Sequence, residues 1–149
     1  YHLPYRAALS GEYRFFDDSW GINAHNLEVG YTHPLESGWI LEASYRYYTQ
    51  TAADFYSDLF PRMNAQNFMS RDKELSDFES HSVGLTLGYD LFANGWHFID
   101  RGSVNMSYKH IWYDYNDFRD LRDVASVPGT EPLYSFSADV ALLYLSLWF

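Results

Sequence analysis

His81-Ser82-Val83-Gly84-Leu85-Thr86-Leu87-Gly88-Tyr89-Asp90-Leu91 alternates without a break. Val83, Leu85, Leu87, Tyr89 and Leu91 fall on one side, and Ser80, Ser82, Gly84, Thr86, Gly88 and Asp90 on the other. A period of two belongs to a strand, since a helix would scatter both sets around its circumference.

The same two-faced pattern recurs along the chain. In residues 5–15, Tyr5, Ala7, Leu9, Tyr13 and Phe15 oppose Arg6, Ala8, Ser10, Glu12 and Arg14. Residues 26–33 alternate Leu27, Val29 and Tyr31 with Glu28, Gly30 and Thr32. In residues 39–50, Trp39, Leu41, Ala43, Tyr45 and Tyr47 face away from Glu42, Ser44, Arg46, Tyr48 and Gln50, with Ile40 as an exception. Residues 104–115 set Val104, Met106, Tyr108 and Trp112 against Asn105, Ser107, Lys109 and Tyr113, with His110 and Ile111 as blemishes. Residues 133–149 form a last strand that is apolar on both faces near its end. Six strands are therefore expected.

Their connections alternate in length. Residues 34–38 and 93–96, the latter with an Asn94-Gly95 hairpin signal, are brief. Residues 16–23, 51–78 and 117–132 are longer or more polar. Short turns on one side and long polar loops on the other are the habit of outer-membrane barrels. The expectation is an all-β fold, an antiparallel transmembrane β-barrel, of which residues 1–149 are one domain forming the six C-terminal strands. Six strands alone would leave open edges in lipid, and a single-chain barrel has at least about 8. Further strands are thus expected before Tyr1, or six-stranded subunits share one barrel.

Composition narrows the setting. The 149 residues are 47% hydrophobic and 20% aromatic, yet the mean hydropathy is −0.36, and no apolar run approaches the length of a transmembrane helix. A formal charge of −10 disfavours a nucleic-acid partner, which would need a basic surface, and none is expected. Cysteine is absent, so neither a disulfide framework nor a thiolate metal site is available.

A soluble barrel or sandwich also alternates, with its apolar side inward. Three features favour the membrane. Tryptophans fall at strand ends, Trp20 and Trp112 near the outer rim and Trp39, Trp96 and Trp148 near the inner one, as aromatic girdles do. Charges stand in mid-strand on the polar face, where a wet lumen accommodates them and a soluble core does not. The expected lumen-lining set is Arg6, Glu12, Arg14, Glu42, Arg46, Asp90 and Lys109. The chain also closes on Leu143, Leu145, Leu147 and Phe149, which resembles the terminal signal read by the barrel-assembly machinery, with Leu147 in place of the usual tyrosine.

Residues 46–56, Arg46-Tyr47-Tyr48-Thr49-Gln50-Thr51-Ala52-Ala53-Asp54-Phe55-Tyr56, and the later run Ser70-Arg71-Asp72-Lys73-Glu74-Leu75-Ser76 carry a resemblance across about residues 40–90. They are similar to a family of Gram-negative outer-membrane proteins known only as a domain of unknown function. The resemblance implies larger barrels and no established activity. Asp54, Arg71, Asp72 and Lys73 are its outer-loop motif, and Asp54 is placed to meet Arg71 or Lys73 across the hairpin. The loop is then pinned by charge pairs and by packing of Phe55, Tyr56, Phe60 and Phe68, or it gates or binds.

These readings point to a porin-like or transport channel with a charged lumen in the bacterial outer membrane. The alternative is a non-conducting structural or assembly-partner barrel, in which Arg and Glu pair to fill the interior. Expected partners are membrane lipid and lipopolysaccharide, the assembly machinery and an unidentified envelope protein. Catalysis, a cofactor and a metal are not expected. His81 and Ser82 point to opposite faces, and Asp114, Asn116, Asp117, Asp120 and Asp123 lack calcium-loop spacing because Arg119 stands where glycine is needed.

Overall fold

The computed structural model describes residues 1–91, 96–122 and 127–149. One antiparallel sheet holds six strands in chain order: β1 (Ala8–Asp17), β2 (Asn23–Pro34), β3 (Trp39–Gln50), β4 (Phe78–Asp90), β5 (Arg101–Arg119) and β6 (Leu133–Trp148). The only helical elements among the described residues are two 3-10 turns, Glu36–Gly38 and Lys73–Leu75. No helix among them is long and apolar enough to cross a membrane, which says nothing of strands.

The number of strands and their all-antiparallel order match the alternation in the sequence. The sheet is not closed into a barrel, because β1 and β6 remain its edges. Strand ends differ from expectation. β1 begins at Ala8, so Arg6, expected on its polar face, sits instead in the preceding bend with φ +65°. β2, β4 and β5 each run further at the loop end, which places Asn116 and Asp117 in β5 beside the expected Asp114. The Asn94-Gly95 turn lies outside the described residues, as does Asp123.

The register carries each face across the whole sheet. Glu12 opposes Glu28, Glu28 opposes Arg46, Arg46 opposes Ser82, Ser82 opposes Ile111, and Ile111 opposes Ala138. That row defines a face rich in Ser, Gly, Asn and charge. On the opposite face Leu9, Tyr31, Ala43, Leu85, Tyr108 and Ala141 form one row of an apolar surface.

Along β4 burial is inverted relative to a water-soluble sheet, whereas on β6 both faces carry exposed apolar side chains, Leu142 on one and Leu143 on the other. On β4, Ser80 and Ser82 are 5% and 8% exposed, whereas Val83 and Leu85 are 47% and 52% exposed. The buried apolar cluster is small, Ile22, Ala53 and Tyr56, and lies at the loop end rather than on a sheet face.

The two faces are also unequally crowded. A Cβ at Gly30, Gly84 or Gly88 on the polar face would lie 2.5 to 2.7 Å from the cross-strand Ser10, Ser44 or Asn105 side chain. At Gly11 on the apolar face it would meet nothing within 4 Å, although Val29 is directly opposite. Side chains converge on one face and splay on the other, as in a sheet that curls toward its polar side. Gly84→Val is therefore expected to cost about 1–3 kcal/mol by crowding Ser44 and Lys109. Gly11→Val should cost nothing, and equilibrium unfolding of the two variants in detergent checks the difference.

Candidate functional site

The polar face and the loop end above it hold the charged and aromatic groups that chemistry could use. Three odd-numbered strands repeat one triplet, Tyr13-Arg14-Phe15, Tyr45-Arg46-Tyr47 and Tyr108-Lys109-His110. Because strand residues alternate, each triplet aims its cation at the polar face and its flanking rings at the apolar one.

The outward tyrosines are bonded to the next strand. Tyr13 Oη and His25 Nδ1 are 2.7 Å apart, Tyr45 Oη and His81 Nδ1 are also 2.7 Å apart, and Tyr108 Oη donates to Asp139 at 2.5 Å. Asp139 also meets His110 Nδ1 at 2.6 Å. Phenol, imidazole and carboxylate thus satisfy one another at the upper margin of an apolar surface.

On the polar face the expected lumen residues part company. Arg14 ion-pairs with Glu12, and Arg46 donates to Asn26 while lying 5.4 Å from the Tyr48 ring centroid. Lys109 makes no ion pair among the described residues. Glu42, Asp90 and Lys109 share that face by register but lie on separate rows. Arg6 is in the bend before β1.

At the loop end the polar face becomes aromatic. Tyr48, Phe78, Tyr113 and Phe136 step across β3 to β6 with centroid separations of 5.6, 6.2 and 4.6 Å. Residues 73–76 reach over this row. Gln50 Nε2 donates to Glu74 O and Ser76 O at 2.9 and 3.0 Å, and Lys73 Nζ lies 5.0 Å from the Phe136 ring. Asp72 accepts from Glu74 N at 3.1 Å and so shapes the short helical turn.

The strongest fastening is one the sequence reading missed. Asp58, with a side chain only 6% exposed, meets Arg71 Nη2 at 2.8 Å and Arg119 Nη1 at 3.2 Å. Arg71 also donates to Asp58 O and Arg119 O, both at 2.9 Å, and its guanidinium lies 4.4 Å from the Phe118 ring. Asp58 and Arg119 are 61 positions apart, and no spacing rule connects them. Beside them burial raises the Tyr56 hydroxyl pKa, with Asp117 and Asp58 adding to the shift, so it stays protonated and donates to Asp117 O at 3.4 Å.

The expected meeting of Asp54 with Arg71 or Lys73 does not occur. Arg71 is engaged by Asp58, while Asp54 N donates to Trp20 O at 2.8 Å and its carboxylate fills the space above Gly21. Gly21 has φ +81° and no side chain, two features that this packing needs.

Among the residues that lack calcium-loop spacing, Asn116, Asp117 and Asp120 bond to protein groups. Asp117 Oδ1 accepts from Asp77 N at 3.0 Å and Asn116 Nδ2 donates to Asp77 Oδ1 at 2.8 Å. Arg122 hydrogen-bonds to Asp120 and draws its pKa down to about 2. Among the tryptophans, Trp39 and Trp112 lie on the apolar face, Trp39 tilted against Tyr89 with centroids 4.5 Å apart and Trp112 edge-on to His110 at 4.2 Å. Trp148 opposes Arg101 and so shares the polar face's side of β6. Trp20 lies in the β1–β2 connection, and Trp96 pairs with Ile99 in the β4–β5 connection.

A family model described as Protein of unknown function (DUF3570) matches residues 1–117, from before β1 into β5. The match is wider than the 40–90 span of the resemblance, and its description names neither location nor activity. No curated protein and no solved structure matches the chain. With most of its length matched, the chain belongs to the DUF3570 family of proteins of unknown function.

Proposed function

We propose that the chain is part of a transmembrane β-barrel of the bacterial outer membrane, working as a porin-like or transport channel with a charged lumen. The observation that carries the reading is the burial along β4, where serines are covered and leucine and valine are exposed, continued by an exposed apolar belt on the neighbouring strands. Exposed belt residues include Leu85 at 52%, Met106 at 58%, Leu143 at 74% and Leu145 at 59%. A hydrocarbon environment removes the cost of that exposure.

The margin of the belt adds support. Its first polar residue on successive strands is Asp17, His25, Thr49, His81, His110 and Asp139. By register this margin descends six residues in five strand steps. With a rise of about 3.3 Å per residue and a strand spacing of about 4.8 Å, a level margin implies a tilt of roughly 40°, within the range of barrels. The apolar residues of β3, Trp39 to Tyr47, then span roughly 20 Å of height, comparable with an apolar band of about 25 Å.

Arg14, Arg46 and Lys109 descend two residues per hairpin along nearly the same slant, so they would stand at one height inside the barrel. Free edges need partners, and Tyr1–Leu3 already pair antiparallel with residues 7–9 on the outer edge of β1. This is the position a further strand would take. Lipid and lipopolysaccharide would contact the belt, and the assembly machinery would read the last strand.

Planar-bilayer recording of the full-length protein tests the channel. Stepwise conductance is expected, and Lys109→Glu should shift the reversal potential in a salt gradient toward cation preference. A folded protein, heat-modifiable on gels but silent in bilayers, would remove the channel. That outcome favours the second reading, a non-conducting structural or assembly-partner barrel, for which the loop packed across the aromatic end of the polar face is the specific observation.

A further inference from the structure

Two aromatic clusters stand at the loop end, and they differ in one respect. The first, Phe118, Tyr134 and Phe136, is covered by the chain's own cations, with Arg71 over Phe118 at 4.4 Å, Lys73 over Phe136 at 5.0 Å and Arg122 over Tyr134 at 5.5 Å. The second is a cleft of about 580 Å³ between the β1–β2 connection and residues 54–68, lined by Trp20, Phe55, Phe68 and Asp54. Among the described residues no lysine or arginine lies over these rings, and none pairs with Asp54.

The cleft walls are held in place from several sides. Asp18 Oδ1 accepts from Trp20 N and Ile22 N at 2.9 and 3.1 Å, Asp54 N donates to Trp20 O, and Gln66 Nε2 donates to Phe55 O at 3.1 Å. The Trp20 and Phe55 rings meet at 74° with centroids 5.6 Å apart, which makes a corner. Trp20 and Phe68 remain 52% and 76% exposed. Ring faces carry the negative part of the aromatic quadrupole, and a carboxylate without a cation stands beside them.

We propose that this cleft binds an organic ammonium ion, held by the Trp20, Phe55 and Phe68 rings with Asp54 as counter-charge. The site faces the loop end, and binding there does not depend on whether the barrel conducts. A cation fits better than a neutral apolar guest, because only a cation gains from Asp54 as well as from the ring faces. A methylated ammonium suits the corner, since its charge is spread over C–H groups that can touch two ring faces at once.

The test uses the full chain in an uncharged polyoxyethylene detergent, at constant ionic strength. Choline is titrated against 3,3-dimethyl-1-butanol, which has the same shape without the charge, and binding is read by tryptophan fluorescence and by equilibrium dialysis. Saturable choline binding is expected, roughly ten-fold or more tighter than the neutral alcohol. Asp54→Asn should lose most of that preference. Trp20→Phe should abolish the fluorescence response while dialysis still detects weakened binding. Equal binding of choline and the alcohol would overturn the proposal. So would absence of saturation in protein with normal heat-modifiable mobility, or an Asp54→Asn variant with unchanged preference.

Discussion

Leu85→Arg is expected to lower the stability of the chain folded in a bilayer by about 2–4 kcal/mol, the penalty of a cation on the lipid face near mid-height. Leu85 lies on the central apolar row, on β4, flanked by Ala43 and Tyr108 on the neighbouring strands, and is 52% exposed. In water that exposure would make an arginine almost neutral, because surface substitutions usually stay within about 0.5 kcal/mol. The two environments thus predict different outcomes for one change. Ser107→Arg provides the comparison, since Ser107 is on β5's polar face opposite Thr86. It should insert normally. Urea titration of both variants refolded into phospholipid vesicles measures the contrast, and equal midpoints would contradict the lipid-facing assignment.

The second large effect is expected at Asp58. Asp58→Ala leaves Arg71 and Arg119 facing each other without their shared carboxylate. Breaking a buried ion pair in this way costs about 3–5 kcal/mol. Here both arginine side chains keep about a third of their surface in water, 34% and 31%, so a local loss of about 2 kcal/mol is expected. The loss should be confined to residues 51–77, because β-ladder hydrogen bonds hold the rest. Hydrogen exchange should accelerate in that loop and in the Gln50 side-chain tether, while β2 to β5 remain protected. If the loop covers a lumen, the same variant should also raise or destabilise conductance. Uniform exchange across the strands would show that Asp58 supports the whole sheet rather than the loop.

The sheet was legible because its two faces differ so sharply. Val83, Leu85 and Leu87 against Ser82, Gly84 and Thr86 admit no other period, and cross-strand register then follows from keeping the faces apart. Strand ends were less legible. Asn23–His25, Phe78–Ser80 and Asn116–Arg119 are polar or mixed, yet they continue their strands beyond the apolar belt. Outside that belt the alternation loses its apolar partner, so a strand reads like a loop.

The candidate sites were only partly visible. Arg71, Asp72 and Lys73 stand out in the sequence, and each has a role in the folded loop. Their partners do not stand out, because Asp58 and Arg119 are far apart in the chain and meet only after the loop folds back. Asp54 looked like a partner for Arg71 by hairpin position. Gly21 decides otherwise, since its missing side chain gives Asp54 a place beside Trp20.

In the proposed barrel the apolar face of this sheet would meet lipid and the polar face water. The chain has no cysteine, so single cysteines can be placed along residues 82–87 of β4 and spin-labelled without background. Collision with oxygen, which partitions into lipid, and with a water-soluble nickel chelate is then measured in reconstituted vesicles. Labels at Val83, Leu85 and Leu87 should favour oxygen, and those at Ser82, Gly84 and Thr86 should favour nickel, with a period of two. Equal nickel access at both sets, or the opposite phase, would show that the apolar face does not meet lipid.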